Sequence, residues 1–332
     1  MRPFDAVLLV AFGGPAGPAD VRPFLARVVR GRRVPAERVE EVARHYERFG
    51  GISPITEITR RQAQGLERRL QAGGLALRVH VGMRNWHPLL ADTLHAMADA
   101  GVRRAIGVIL APHRSYSSCL QYRENVREAR QALRASGRAD VEVIYVGDWY
   151  LHPGFVETYA DHVRRAAARL PERVREGARL IFCAHSLPCR AAAPYPYQAQ
   201  IEASARLVAA RAGFEDWTVV YQSRSGSPEE PWLEPDVCDY LRAARAQGLE
   251  AAVLCPIGFV CDNIEVLYDL DVEAAAVARE IGLELVRAET ANDDPRFLDM
   301  LADVVRRTWD RYAGGRPLAI EPAEVTATAR RA

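Results

Sequence analysis

The sequence predicts an α/β protein made of two similarly wound units, each with a largely parallel sheet of four strands. Three observations predict it. Eight short apolar runs recur along the 332 residues, and segments of helical periodicity separate almost all of them. The two halves also begin alike: AVLLVAFGGP and RLIFCAHSLP each read as an apolar strand, a small or polar turn, then proline.

The first half supplies strand candidates at Ala6 to Ala11, Leu75 to Val81, Ala105 to Leu110 and Val141 to Val146. The second supplies Arg179 to Ala184, Trp217 to Gln222, Glu250 to Cys255 and Leu283 to Val286. This places one domain over residues 1–150 and another over 151–315, with the last helix free to pack back on the first domain. Residues 316–332, rich in Ala, Pro and Thr, read as a flexible tail. Between the first two strands lies a helical excursion, 19–72, with patterns over 19–30, 36–49 and 55–71 rather than the usual single helix. It carries Arg30-Gly31-Arg32-Arg33 and the loop Gly50-Gly51-Ile52-Ser53-Pro54, which suits a wall over an anionic ligand as well as it suits a decorated surface.

Composition narrows the function. Apolar residues at 49% and charged residues at 26% are ordinary for a globular chain. With 44 basic against 43 acidic residues the net charge is +1, which argues against nucleic acid as a partner. The six cysteines form no CxxC pair, and Cys183 and Cys255 sit in strand-like runs, so reduced thiols and a cytoplasmic location are expected. The apolar run from Ala6 to Phe12 is too short to span a bilayer, and integral membrane association is not expected.

In open α/β sheets ligands bind beyond the carboxyl ends of the strands. Phe12, His185 and the turn before Asp262 fall there. The Gly13-Gly14-Pro15 turn lacks the GxGxxG spacing, and Pro15 and Pro18 remove amides that a pyrophosphate would need. His185 reads either as a hydrogen-bonded residue at a strand edge or as a base or metal ligand. Downstream, Glu265, Asp269 and Glu273 recur every four residues of a predicted helix, which puts three carboxylates along one face. Like charges at this spacing destabilise a helix, so solvent or a cation must offset them. Asp262 with Glu265 also fits a capping box. His80, His87, His95, His152 and His162 read as structural, while His45 and His113 are placed to line a cleft. The segments from Pro112 to Tyr122 and from Tyr221 to Ser227 read as strand ends with Ser-rich loops beside the same cleft.

Four stretches then coincide, in order and spacing, with one family: GGISPI at Gly50, AHSLP at Ala184, YQSRSGSPEEPWLEPD at Tyr221 and PIGFVCDNIEVLYDLDVE at Pro256. They resemble the ferrochelatases over nearly the whole chain, and look closest to the soluble bacterial branch that makes coproheme from coproporphyrin III. The resemblance implies two Rossmann-like domains around a porphyrin cleft. It implies His185 and Glu265 as catalytic groups on opposite sides of the metal-insertion point, with Asp269 and Glu273 extending a metal-handling ridge. It places Phe12, Arg30, His45, Tyr46, Ser53 and Tyr122 at porphyrin contacts, Arg30 beside a propionate. Many members have tyrosine where Phe12 stands, and a phenyl ring cannot ligate iron. No cysteine follows Cys261, so no iron–sulfur cluster is expected, nor any prosthetic group. Fe2+ and coproporphyrin III are the implied substrates, and neighbouring haem-pathway enzymes the implied transient partners. Protoporphyrin IX insertion, or tetrapyrrole binding without catalysis, are the alternatives.

Overall fold

The computed structural model describes residues 2–31, 34–225 and 230–315. Arg32, Arg33, Gly226, Ser227 and the tail 316–332 lie outside the described residues.

Two four-stranded sheets form, and every pairing in them is parallel. The first holds β1 (Ala6–Ala11), β2 (Arg78–Met83), β3 (Arg104–Ile109) and β4 (Glu142–Tyr145) in the order β2-β1-β3-β4. The second repeats that order as β6-β5-β7-β8, from β5 (Arg179–His185), β6 (Trp217–Gln222), β7 (Ala251–Cys255) and β8 (Glu284–Arg287). β1 and β7 are buried at every residue, because helices cover both faces of a parallel sheet, and this is why they read as unbroken apolar runs.

β2 starts three residues later than its apolar run. Leu75 N–H instead closes the preceding helix on the Leu70 carbonyl at 2.8 Å, and Glu67 accepts from Val79 N–H at 2.8 Å. The excursion forms helices over Val21–Val28, Ala36–Arg48 and Ile55–Ala72. Its middle helix reaches the second domain: the His45 ring stacks on Tyr268 with centroids 3.5 Å apart, and Arg38 donates to the Arg224 carbonyl at 3.1 Å. The excursion is therefore a wall rather than surface decoration.

The last helix, Pro295–Ala313, follows the second sheet but packs against Ile55–Ala72 of the first domain. Gly65 makes the contact close, since a β-carbon there would stand 2.4 Å from a Leu298 methyl. Arg61 pairs with Asp293 at 3.0 Å, and Phe4 packs on the rings of Trp309 and Tyr312. One apolar core runs beneath both sheets, from Phe4 and Leu66 through Trp149 and Phe155 to Phe182 and Phe297. The carboxyl ends of the two sheets are left facing one cleft.

Candidate active site

His185 is the last residue of β5, held in register with Gln222 of β6. Its backbone carbonyl accepts from Tyr197 Oη at 3.0 Å. The ring Nδ1 lies 2.5 Å from the Ser186 carbonyl. A carbonyl can only accept, so Nδ1 carries the hydrogen and Nε2 of the neutral ring keeps its lone pair. Glu265 Oε1 lies 3.7 Å from that Nε2.

Glu265 arrives by way of β7 and the loop that follows it. Gly258 lets that loop lie against β5, because a β-carbon there would stand 2.9 Å from Ala184 Cα. The helix then opens at Asn263, whose side chain accepts from Val266 N–H at 3.1 Å. This corrects the expectation that Asp262 caps the helix. Asp262 is engaged elsewhere, by Arg287 at 3.3 Å, Thr290 at 3.1 Å and Asn292 at 3.1 Å.

The acidic segment is not one regular helix. An α-helical turn, Ile264–Tyr268, passes into a π-helical stretch, Asp269–Ala274, and then into Ala275–Glu280. Steps of four overshoot an α-turn of about 3.6 residues, so a purely α-helical stripe drifts around the axis. The wider π-turn offsets that drift. Glu265, Asp269 and Glu273 consequently all line the cleft.

Asp269 has its pKa pushed up to about 7. Burial is the main cause, and repulsion from Glu265 and Glu273 adds to it, against hydrogen bonds from Ser223 and Gln222 that favour the charged form. Burial also raises Glu273, with Arg38 acting in the opposite sense. Ser223 holds a left-handed backbone, φ +62°, that brings its hydroxyl onto Asp269. Gln222 Nε2 reaches both the Glu265 carbonyl, at 3.0 Å, and Asp269, at 3.4 Å. The sequence places this pair at a strand end and loop beside the cleft but gives neither residue a role there; the polar run at the end of β6 is the available signal.

The cleft holds a cavity of about 1640 Å3, larger than pockets for drug-sized ligands. Phe12, His45, Tyr46, Ser53 and Tyr122 line it, as do His185 and the three carboxylates. Burial raises the Tyr46 and Tyr122 phenols, which stay protonated hydrogen-bond donors. His113 lines the cavity too, its Nε2 held 3.0 Å from Ser204 Oγ. The serines after β3 serve a helix cap, in which Ser115 and Ser118 bond each other's backbone N–H. Arg30 is exposed and does not line the cavity, because the helix expected to carry it ends at Val28 and the chain turns at Gly31. Among the described residues, the arginines that do are Arg38, Arg84, Arg190, Arg224 and Arg242.

A second correction concerns the pair itself. His185 and Glu265 were expected to face each other across a macrocycle, yet both come from the second domain, His185 at the end of β5 and Glu265 on the helix that follows the loop after β7. Two groups sandwiching an aromatic ring stand about 7 Å apart, twice a carbon–carbon contact distance. At 3.7 Å they are neighbours on one wall. The other wall belongs to the first sheet and presents Phe12, whose ring packs edge-on to Phe24.

A ferrochelatase family profile matches residues 4–309. The chain belongs to the ferrochelatase family. It is 47% identical, over 91% of its own length and 89% of the relative's, to a coproporphyrin III ferrochelatase of Mycolicibacterium smegmatis. It is 46% identical to another from Streptomyces griseus, over 96% and 88% of the two chains. The sirohydrochlorin chelatase SirB of Bacillus subtilis subspecies spizizenii, solved with cobalt, superposes with a TM-score of 0.57 at 11% identity, covering 94% of this chain and 97% of that one. SirB from Bacillus subtilis with Fe3+ gives 0.59 at 10% identity, over 95% of this chain and 100% of that one. At such identity these two structures speak for the ferrochelatase fold alone, that of a chelatase with two parallel sheets.

Proposed function

We propose that this ferrochelatase inserts ferrous iron into coproporphyrin III to give coproheme, a step of haem biosynthesis. The reaction exchanges two pyrrole protons for one Fe2+. The observation that carries the mechanism is His185 Nε2 set 3.7 Å from Glu265 Oε1 inside the cleft. With Nδ1–H committed to the Ser186 carbonyl, Nε2 is the base for a pyrrole proton. The Glu265 carboxylate beside it stabilises the imidazolium that results, and Asp269 and Glu273 lead outwards along the same face as a path for the cation or the second proton.

Both groups act from one face, so deprotonation is one-sided. Phe12 on the other wall offers apolar contact and no oxygen to the iron. Fe2+ is a substrate in this reading, and no prosthetic group or iron–sulfur cluster takes part. Among the described residues no three His, Cys, Asp or Glu side chains converge into a closed metal cage. An imidazole and a carboxylate with open positions between them suit a cation that is passed to four pyrrole nitrogens. The five arginines that line the cavity among the described residues suit a porphyrin rich in propionates, since a guanidinium fork matches a carboxylate. Among the described residues no helix is long and apolar enough to cross a membrane.

An anaerobic assay with purified protein, Fe2+ and either coproporphyrin III or protoporphyrin IX tests this reading. Coproporphyrin is turned over faster; an equal or faster rate with protoporphyrin overturns the substrate, and porphyrin binding without metalation overturns the enzyme. Loss of the base costs about 10²- to 10⁴-fold in rate. His185→Ala is therefore expected to lose insertion while porphyrin still quenches fluorescence, and undiminished metalation would remove His185 from the mechanism.

A further inference from the structure

Asp271 lies within the acidic segment but not on its cleft face. Together with Asp262 and Arg287 it lines a separate cavity of about 880 Å3. Arg287, the last residue of β8, grips Asp271 with two hydrogen bonds, Nε to Oδ1 at 2.6 Å and Nη2 to Oδ2 at 2.9 Å. Its Nη1 turns to Asp262 Oδ1 at 3.3 Å and to the Ala288 carbonyl at 3.2 Å. The Arg287 side chain is only 16% exposed. Asp262 is itself anchored by Thr290 and Asn292, and its own N–H donates to Asn292 Oδ1 at 2.9 Å. Asn292 in turn passes the connection to the first domain, where Gln62 Nε2 donates to its carbonyl at 2.7 Å.

One guanidinium thus joins the residue just before the helix cap, Asp262, to the interior of the π-helical stretch, at Asp271. A π-turn has poorer intrinsic stability than an α-turn and persists where something holds it. If the stretch relaxed to regular α-helix, residues beyond it would rotate about the axis relative to Glu265. Glu273 would swing away from the cleft first.

We propose that Arg287 is a positioning residue for metal insertion: bridging Asp262 and Asp271 from behind, it fixes the π-turn that keeps Asp269 and Glu273 in line with Glu265. This rests on the reading of the stripe as a metal path. Only a fork reaches both carboxylates at once, so lysine restores part of the effect and methionine none.

The test compares Arg287→Met, Arg287→Lys and Asp271→Asn in the full chain. Support residues behind metal ligands typically alter metal affinity by about 10- to 100-fold. For Arg287→Met the KM for Fe2+ and the dissociation constant of Co2+ for the porphyrin-free protein are expected to rise about ten-fold or more. The porphyrin dissociation constant, read by fluorescence quenching, stays within about two-fold, because Arg287 does not line the main cavity. Arg287→Lys falls between, and Asp271→Asn reproduces the metal defect, which keeps the idea testable should the methionine variant fold poorly. Unchanged Fe2+ KM and Co2+ affinity in both Arg287→Lys and Asp271→Asn would overturn the proposal, as would iron and porphyrin affinities falling in parallel. Loss of insertion in His185→Ala, measured alongside, shows whether the underlying reading stands independently.

Discussion

Burial in the cleft makes the charged form of Asp269 costly. An aspartate in an unfolded chain titrates at about 3.9; here burial, reinforced by Glu265 and Glu273, pushes it up to about 7. The folded chain therefore holds this proton more firmly than the unfolded one. Its contribution to stability is fully present below pH of about 4 and is lost as pH rises through 7. Asp269→Asn keeps the shape and can still receive the Ser223 hydroxyl, yet has nothing to ionise. Between pH 5 and pH 8 the wild type should lose on the order of 1 kcal/mol relative to Asp269→Asn, roughly 1–2 °C in melting temperature for a chain of this length. Parallel melting curves for the two across that range would show that Asp269 is charged throughout.

At the scale of elements, the eight strands were legible because burial on both faces of a parallel sheet demands apolar runs, and such runs stand out in sequence. Their edges were less legible where a side chain elsewhere takes over, as Glu67 does at the start of β2. The helix carrying Glu265 shows the limit most plainly. DNIE reads equally as a cap at Asp262 or at Asn263, and what decides is Arg287, Thr290 and Asn292, far along the chain, which claim Asp262. The π-turn has no local signature either, because an i→i+5 closure leaves hydrophobic spacing almost unchanged. Likewise the helical pattern over 19–30 did not reveal that the helix ends at Val28 and leaves Arg30 outside. That His185 and the three carboxylates border a cleft was legible from their motifs; their arrangement on one wall was not, since it depends on how β5 and the helix after β7 neighbour each other. Capping by Asn263 carries its own prediction. Asn263→Ala removes the acceptor for Val266 N–H and should cost about 1 kcal/mol of stability. Because that cap fixes the turn from which Glu265 projects, Fe2+ KM should rise while porphyrin affinity holds. A variant with wild-type melting temperature would assign the start of this helix to the surrounding loop instead.

For the whole molecule, the decisive join is the one between the last helix and the body. Asp294 caps that helix by accepting from Arg296 N–H at 2.8 Å, and also meets His162 of the helix Pro153–Ala167 at 3.2 Å. Arg296 closes the circuit by reaching Asp161 at 2.7 Å. Burial alone would raise the Asp294 carboxyl, but the Arg296 guanidinium and backbone N–H, with His162, outweigh it and hold it at about 2. The sign is opposite to that of Asp269. A depressed carboxyl contributes stability above its unfolded value of about 3.9, and that contribution is lost as pH falls towards 2. Asp294→Asn is the informative change, because asparagine caps a helix about as well as aspartate and so removes the charge while leaving the cap. At pH 7 the variant should be less stable by about 1–2 kcal/mol, since a partly buried charge network loses a member. On acidification the wild type should lose that advantage, and the two unfolding curves should converge by about pH 2. Denaturant titrations at pH 7, 4 and 2.5 measure it. Equal stability of the two proteins at pH 7 would mean that the cap, and not the charge, ties the last helix across the two sheets.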